Sequence, residues 1–276
     1  MKKRLSSQSI WQDNMDKKFQ FKKYGRELKN FWKLGWQDNK ARYSKTYLGE
    51  IWIAISVVLL ASILGAIYGD IFGSIDDKEV KYFSYLAIGI TLWNSIADAM
   101  SIGSRFIFDN SEMILNTNYT LRSLYIRKFS YVLQNLIIGL SAILCFEAIF
   151  NFELVSNFLN IIFPFFAFVL FNFLILIIFS IIGCIIRDFA ELVPLLTTII
   201  FLSSPILYPA SKLEQYSWIA TYNIPYRMLD LVRRSVLTGE FGIIKTLALL
   251  ILEFFLVLVS LYLADKYRYK IALWCD

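Results

Sequence analysis

The feature that most constrains this chain is a series of long apolar runs. The first, 51–72, carries no charged residue before Asp70, and a helix of that length crosses the ~30 Å hydrocarbon core of a bilayer. Further runs lie at 83–103, 129–150, 158–186, 190–208 and 246–264. The sequence therefore predicts an all-α, polytopic membrane protein with six transmembrane helices.

Composition excludes most catalytic classes. The chain is 57% apolar and 18% charged, whereas a soluble domain is about 45–50% apolar and about a quarter charged. It has no histidine, the commonest general base and catalytic metal ligand, and its three cysteines lack metal-ligand spacing. It has no GxxxxGK phosphate loop and no GxSxG elbow. We predict no catalytic residue and no metal site, so another chain must hydrolyse any ATP that is used.

The distribution of charge predicts the orientation. Residues 1–50 carry 13 Lys/Arg against five acids, and six spans place both termini on one side. If that side is the cytoplasm, it holds 21 of the 28 cations and the other side holds seven, as the positive-inside rule requires. We predict cytoplasmic termini and a basic tail that binds anionic lipid headgroups rather than nucleic acid.

Two polar segments on the cytoplasmic side have residue patterns that simple connecting loops do not need. In 24–49, apolar side chains at helical spacing predict an amphipathic helix in the membrane interface; the alternative is a simple topology anchor. Its stripe consists of Leu28, Phe31, Trp32, Leu34 and Trp36. The loop 104–128 mixes apolar and charged residues, which predicts either a partner that covers them or a helix packed back on the membrane domain.

The segment 209–245 on the outer side has its own helix signals. Pro225 lies early and Gly239 just beyond a predicted helix at 226–237. The segment also contains three arginines, although the positive-inside rule disfavours cations on the outer side. They are Arg227, Arg233 and Arg234. This departure predicts short re-entrant or interfacial helices rather than a free loop. Arginine recognises phosphate and acidic sugars by bidentate hydrogen bonds and also reaches lipid phosphate, so both ligands remain open.

Intramembrane acids are functional candidates by default. Glu253 lies midway along the last apolar run, and Glu147 and Asp98 lie near the ends of others. A proton-coupling role for Glu253 would favour a secondary transporter. Such transporters often contain an inverted repeat, and the two halves of this chain show no such symmetry.

The first apolar run contains Gly65, Gly69 and Gly73 at four-residue spacing. Small residues at this spacing let transmembrane helices approach closely. The pattern predicts close packing of this helix, either within one chain or between two copies.

Four stretches, taken in order, resemble the membrane subunit (permease) of bacterial ABC transporters that export O-antigen, capsular polysaccharide or teichoic acid. They are KARYSKTYLGEIWIAI, YLAIGITLWNSIADA, SEMILNTNYTLRSLYIRKFSYVLQNLIIG, and RDFAELVPLLTTIIFLSSPILYP followed by YNIPYRMLDLVRRSVLTG. The resemblance covers about residues 25–265. Two positions depart from the family pattern: Ile224 separates Asn223 from Pro225, and Ser235 stands where the family has proline.

The resemblance implies the permease subunit of an ATP-driven exporter that moves a polysaccharide or lipid-linked glycan across the bacterial inner membrane. It implies a homodimer bound to two copies of a separate ABC ATPase subunit, which holds ATP and Mg. This chain would be a transport subunit rather than an enzyme, with no cofactor of its own. The alternatives are an ABC permease for a lipid or drug, and a proton-coupled secondary transporter that uses Glu253.

The resemblance also assigns segments and residues. It divides the chain into a cytoplasmic tail with the interface helix (1–50), a transmembrane domain (51–264) and a second cytoplasmic tail (265–276).

The expected ATPase contacts are Phe31 and Trp32 on the interface helix and Asn110, Glu112, Met113 and Ile114 in the coupling loop 104–128. The expected pore residues are Tyr68, Tyr85, Trp93, Phe201 and Tyr208. The outer gate segment, 209–245, contains Arg227, Arg233 and Arg234, and Arg187 and Asp188 would form a structural ion pair at a cytoplasmic turn.

Overall fold

The computed structural model describes residues 7–72, 82–117, 119–150, 160–240, 242–268 and 270–271. The expectations that concern residues 1–6, Gly73, the side chain of Glu147 and residues 272–276 lie outside the described part of the chain. The helices are α1 (Ser7–Tyr43), α2 (Ile51–Phe72), α3 (Tyr82–Asn116), α4 (Leu121–Phe150), α5 (Ile162–Ile185), α6 (Phe189–Ser203), α7 (Ser217–Tyr222), α8 (Ile224–Leu237) and α9 (Ile243–Lys266), with a 3₁₀ helix at Ala210–Tyr216. No strand occurs in these ranges, which confirms the all-α prediction.

Five of these helices, α2, α3, α4, α5 and α9, are long and apolar enough to cross a membrane. The predicted fifth span is shorter than expected, because α6 has only 15 residues, or ~23 Å at 1.5 Å per residue. It ends at Ser203 because Ser204 precedes Pro205 and has an extended backbone (φ −86°, ψ 144°), as residues before proline prefer. The count of six full-length spanning helices is therefore not confirmed.

Contacts at the helix ends define two ends of the bundle. We call the end with Arg105 and Asp265 the basal end and the end with Tyr85 and Pro205 the distal end. At the basal end Arg105 on α3 forms an ion pair with Glu191 on α6. At the distal end the Tyr85 hydroxyl donates to the carbonyl oxygen of Pro205 at 2.9 Å. Thus α6 begins near one end and the chain that follows it reaches the other.

Helix α3 forms the core of the bundle, and it packs closely on α5. A Cβ atom at Gly183 would lie 1.9 Å from the carbonyl oxygen of Ser104, and one at Gly103 would lie 2.7 Å from that of Leu176. Only glycine permits these backbone contacts. In the most apolar 18-residue stretch of α3, 72% of the residues are buried. The corresponding shares are 11% in α2 and 17% in α9. Helices α2 and α9 therefore present apolar surface to lipid or to another chain.

Only part of the predicted stripe on α1 packs against the chain. Phe31, Gly35 and Asn39 are buried, at four-residue spacing, and this face meets α4. A Cβ atom at Gly35 would lie 1.8 Å from Oγ of Ser130. The side chains that stay exposed are Leu28, Leu34 and Trp36. The packed face therefore combines one stripe residue, Phe31, with a glycine and an amide that fit against α4.

Candidate functional site

The distal end is organised by the N-terminus of α8. The side chain of Asn223 caps this helix by accepting a hydrogen bond from the Tyr226 N–H at 3.0 Å, as N-cap residues do. Its Nδ2 donates to Oγ of Ser204 at 2.7 Å, which ties α8 to the end of α6. Ile224, a departure from the family pattern, leaves the cap intact with Pro225 in the first turn.

Arg233 lies at the centre of this end and is 1% exposed. Its guanidinium carbon stands 3.7 Å from the centroid of the Tyr85 ring. It donates to the Pro205 carbonyl oxygen at 3.2 Å, to Asp230 Oδ1 at 2.9 Å and to the Tyr226 hydroxyl at 3.4 Å. We call these five residues the distal cluster.

The distal cluster keeps Arg233 charged in spite of burial. Burial by itself would lower the pKa of Arg233, but the facing Tyr85, Asp230 and Tyr226 raise it above its ordinary value. Burial raises the pKa of Tyr226, so its hydroxyl remains protonated. A buried charge persists only when it is paired and hydrogen-bonded, and the cluster meets this requirement.

The three predicted gate arginines therefore have different environments. Arg233 donates its hydrogen bonds within the chain. Arg234 is exposed and forms an ion pair with Asp230 at 2.6 Å. Arg227 is also exposed. Only Arg227 and Arg234 present their side chains to an external phosphate or sugar in this conformation.

Two tyrosines of α3 hold the chain segment that follows α6. Tyr85 donates to the carbonyl oxygens of Pro205 and Tyr208, the latter at 3.1 Å. Tyr82 donates to that of Leu207. Because this segment is not helical, its carbonyl groups need such donors. A cavity of about 290 Å³, lined in part by Tyr85, Arg233 and Arg234, lies beside it.

Four of the five predicted pore residues lie along the contact between α3 and α6. The rings of Trp93 and Phe201 have centroids 5.8 Å apart, and Tyr85 meets Tyr208 at the distal end. Tyr68 lies on α2 and is partly exposed. In the single chain Tyr85 and Trp93 are buried, so pore lining by them remains a prediction.

The predicted coupling loop is mostly helix. Helix α3 continues to Asn116 and α4 begins at Leu121, which leaves only 117–120 as a connection. The 35 residues of α3 span ~52 Å, so this helix extends well beyond a ~30 Å hydrocarbon core. The predicted ATPase contacts therefore lie mainly on its last turns.

Those residues are not equally accessible. Glu112 is exposed, Met113 is half-buried and Ile114 is buried. Asn110 Nδ2 donates to the Phe106 carbonyl oxygen one turn earlier. The sequence analysis did not select Phe108, which is 62% exposed on the same turns. Phe108 is an apolar residue among charged ones, and this contrast in the sequence could have marked it as a candidate contact residue.

Helix α1 also contacts the connection between α3 and α4. The rings of Phe31 and Tyr119 meet edge to face at 5.1 Å, and Ser123 Oγ donates to Glu27 Oε1 at 2.8 Å. Trp32 is half-buried. The structure thus brings the interface helix and the α3–α4 connection together.

The turn between α5 and α6 contains Arg187 and Asp188. Asp188 is the N-cap residue of α6, and its backbone carbonyl accepts from the N–H groups of Glu191 and Leu192. The structural ion pair between Arg187 and Asp188 stays a prediction. An ion pair at the start of α6 joins Glu191 to Arg105 at 2.6 Å. The partner is on another helix, which sequence adjacency does not reveal.

Glu253 is buried on α9, and its Oε2 has no hydrogen-bond partner within the described part of the chain. A proton relay needs a second titratable or polar group within hydrogen-bond reach. The described side chains supply no such hydrogen bond to Oε2. This geometry does not favour the secondary-transporter alternative.

Comparison with known proteins agrees with this arrangement. Residues 29–237 match the family described as ABC-2 type transporter (ABC2_membrane). Two curated relatives from Klebsiella pneumoniae, each named O-antigen export system permease protein RfbA, are 26% identical over 240 residues. Each alignment covers 86% of this chain and 91% of the relative.

Proposed function

The chain belongs to the ABC-2 type transporter family, and from that premise we propose that it is the permease subunit of an ATP-driven exporter. Its cargo is a polysaccharide or lipid-linked glycan, which it moves across the bacterial inner membrane. The observation that carries this proposal is the similarity to two O-antigen export permeases over 86% of the chain. The family match also extends from α1 to the end of α8 and so includes both ends of the bundle.

ATP hydrolysis belongs to a partner subunit that holds ATP and Mg, because the sequence has no phosphate-binding loop. The last turns of α3 offer the docking surface, centred on Glu112 and Phe108 and flanked by Asn110 and Met113. Ile114 is buried and supports this surface from below. Phe31 and Trp32 contribute through the contact of α1 with the α3–α4 connection.

Helix α3 supplies the mechanical link in this proposal. It carries Glu112 at one end and Tyr85 at the other, ~40 Å apart along a continuous helix. Closure of the ATPase dimer tilts or shifts this helix. Tyr85 then moves relative to the Pro205 carbonyl, which opens the distal cluster.

Two copies of the chain form the conduit. On α6 the exposed side chains repeat at helical spacing and form an apolar stripe. They are Leu192, Leu195, Ile199 and Leu202. Packing of this stripe against a second copy would enclose the α3–α6 contact, where the predicted pore aromatics lie.

The basal end faces the cytoplasm in this arrangement. It carries the cation-rich segment that precedes α2 and the basic residues at the start of α4 and after α9, in accord with the positive-inside rule. Both termini then lie in the cytoplasm, and the outer gate segment faces the periplasm or cell exterior.

The test is the location of the glycan in a strain that lacks the chain. We expect surface glycan to disappear and the same glycan to accumulate inside, with restoration by the wild-type chain. Glu112→Lys should not restore export, whereas Lys212→Glu, an exposed charge reversal at the distal end, should. Unchanged surface glycan in the deletion strain would overturn the proposal.

A further inference from the structure

A polar cavity of about 410 Å³ lies where the end of α1 and the start of α2 meet α3 and α4. Because α2 is the first apolar run, its first turn lies at the depth where a span enters the membrane, which is the level of the lipid headgroups. The cavity is lined there by Trp52 and Ile53. Helix α2 is largely uncovered, so lipid reaches this level beside the cavity.

Arg42 lies at the α1 side of this cavity. Its guanidinium donates to the Tyr131 hydroxyl and stands 5.4 Å from the centroid of that ring. It forms no ion pair with any described side chain. A guanidinium has five N–H donors, so Arg42 retains several for an external anion.

Two neighbouring arginines at this end are paired with carboxylates. Arg127 donates to both carboxylate oxygens of Asp38, at 2.7 and 2.9 Å. Arg105 is paired with Glu191 at 2.6 Å. Arg42 therefore differs from these two arginines in having an aromatic hydroxyl where they have a carboxylate.

Asp98 on α3 lines the same cavity. Its Oδ2 accepts from Asn135 Nδ2 at 3.1 Å, and Asn135 Oδ1 in turn accepts from Asn39 Nδ2 at 3.1 Å. The other oxygen, Oδ1, accepts no hydrogen bond from a described residue. Ser95, which also lines the cavity, has a buried hydroxyl with no described partner.

The cavity is thus lined by an exposed guanidinium and a carboxyl group that form no ion pair with each other, together with a buried hydroxyl that has no described partner. A buried hydroxyl group is costly without a partner. A ligand that carries both a phosphate and an ammonium group would satisfy all three. Phosphate suits the bidentate geometry of arginine, and an ammonium group has three donors for acceptors such as a carboxylate and a hydroxyl.

We propose that this cavity binds the phosphoethanolamine headgroup of a membrane phospholipid, with Arg42 on the phosphate and Asp98 and Ser95 on the ammonium group. The acyl chains leave along the uncovered face of α2. The bound lipid joins the end of α1 to α2, α3 and α4. This site depends neither on the identity of the cargo nor on the ATPase.

The experiment is lipid binding to the purified, delipidated full-length chain in detergent, measured by native mass spectrometry. Phosphatidylethanolamine and phosphatidylglycerol with the same acyl chains are the two probes, and a polyprenyl phosphate is a third. The wild-type chain should retain phosphatidylethanolamine preferentially. Its melting temperature should also rise with phosphatidylethanolamine more than with phosphatidylglycerol.

The variants separate the two charges. Arg42→Ala should weaken binding of both phospholipids by about tenfold or more, the loss of a charge-assisted pair. Asp98→Asn, which keeps an acceptor for Asn135, should retain phosphatidylglycerol binding and lose the preference for phosphatidylethanolamine. Arg105→Ala, the control, removes a cation that is paired with Glu191 and should leave binding unchanged.

Three results would overturn the proposal. One is equal binding of the two phospholipids by the wild-type chain. Another is a loss in Arg105→Ala as large as in Arg42→Ala, which would indicate non-specific surface charge. The third is tighter binding of polyprenyl phosphate that Asp98→Asn does not change, since the cavity would then select phosphate alone.

Discussion

The two ends of the bundle use arginine in opposite ways. At the distal end Arg233 is 1% exposed and is enclosed by tyrosine rings, a carboxylate and a carbonyl group. At the basal end Arg105 and Glu191 form a pair with side chains that are 55% and 77% exposed. Breaking a buried pair costs several kcal/mol, whereas an exposed pair contributes about 0–1 kcal/mol.

This difference indicates how motion can be distributed along the molecule. The distal cluster holds one arrangement strongly, so it suits a gate that is closed at rest. The basal pairs are screened by salt and exchange easily, so they suit a surface that a partner rearranges. Helix α3 takes part in both ends, through Tyr85 and Arg105, and in the proposed function it transmits the change.

The largest expected effect is at the distal cluster. Arg233→Ala should lower the free energy of unfolding by about 3–5 kcal/mol, because it removes the donor to Pro205 and the cation facing Tyr85. Denaturant titration in mixed micelles measures this loss. Arg227→Ala removes an exposed arginine of the same helix; it is the control and should change stability by less than about 0.5 kcal/mol. Equal effects of the two substitutions would contradict the difference between the two ends.

The next effect concerns the contact between α1 and α4. Gly35→Ala should cost about 1–3 kcal/mol, since its Cβ atom would lie 1.8 Å from Ser130 Oγ and 2.2 Å from the Arg127 carbonyl oxygen. Gly25→Ala on the same helix has nothing within 4 Å and should be neutral or slightly stabilising. Cross-linking between cysteines introduced on α1 and α4 would report the separation. A Gly35→Ala variant with wild-type cross-linking would show that close approach does not hold α1.

A smaller effect is expected at the cap of α8. Asn223→Ala should cost about 1 kcal/mol, because it removes the acceptor for the Tyr226 N–H and the donor to Ser204. Asn223→Asp is the matched variant: it keeps the acceptor for Tyr226 and loses the donor to Ser204. Melting temperatures of both in detergent should place Asp between Asn and Ala. A fall of Asp below Ala would contradict the capping role.

The smallest effect is expected for the Asp38–Arg127 pair. Asp38→Asn should cost only about 0.2–1 kcal/mol, and less in high salt because exposed charges are screened. Unfolding titrations at two salt concentrations test this. If Asp38→Asn proved more damaging than Gly35→Ala, charge rather than close packing would hold α1 on α4.

The sequence was sufficient for the features that depend on apolar length and local signals. Five spans appear where the runs predicted them, and the helix predicted at 226–237 is α8, which begins two residues earlier at Ile224. Ser204-Pro205 was a visible stop signal for α6. The prediction nevertheless continued the span to 208, because apolar composition does not distinguish a helix from an extended segment.

The features that depend on neighbours were not predictable from local patterns. Glu191 pairs with Arg105, a residue 86 positions away. The sequence makes Arg233 a candidate for ligand binding, but in the structure its guanidinium is occupied by Tyr85 and the Pro205 carbonyl. Gly35 has no recognisable pattern in the sequence, because it is an isolated glycine in a polar helix. Gly65 and Gly69 have the spacing of a close-packing motif, yet among the described residues neither makes a contact that a Cβ atom would block.

The most direct test is purification of the tagged chain from its native membranes in mild detergent, followed by identification of co-purified proteins and assay of ATP hydrolysis. The proposal predicts a near-equimolar soluble subunit with a phosphate-binding loop, an active ATPase, and loss of both in the Glu112→Lys variant but not in Lys212→Glu. A chain that purifies alone, without ATPase activity at any expression level, would contradict its assignment as the permease of an ATP-driven exporter.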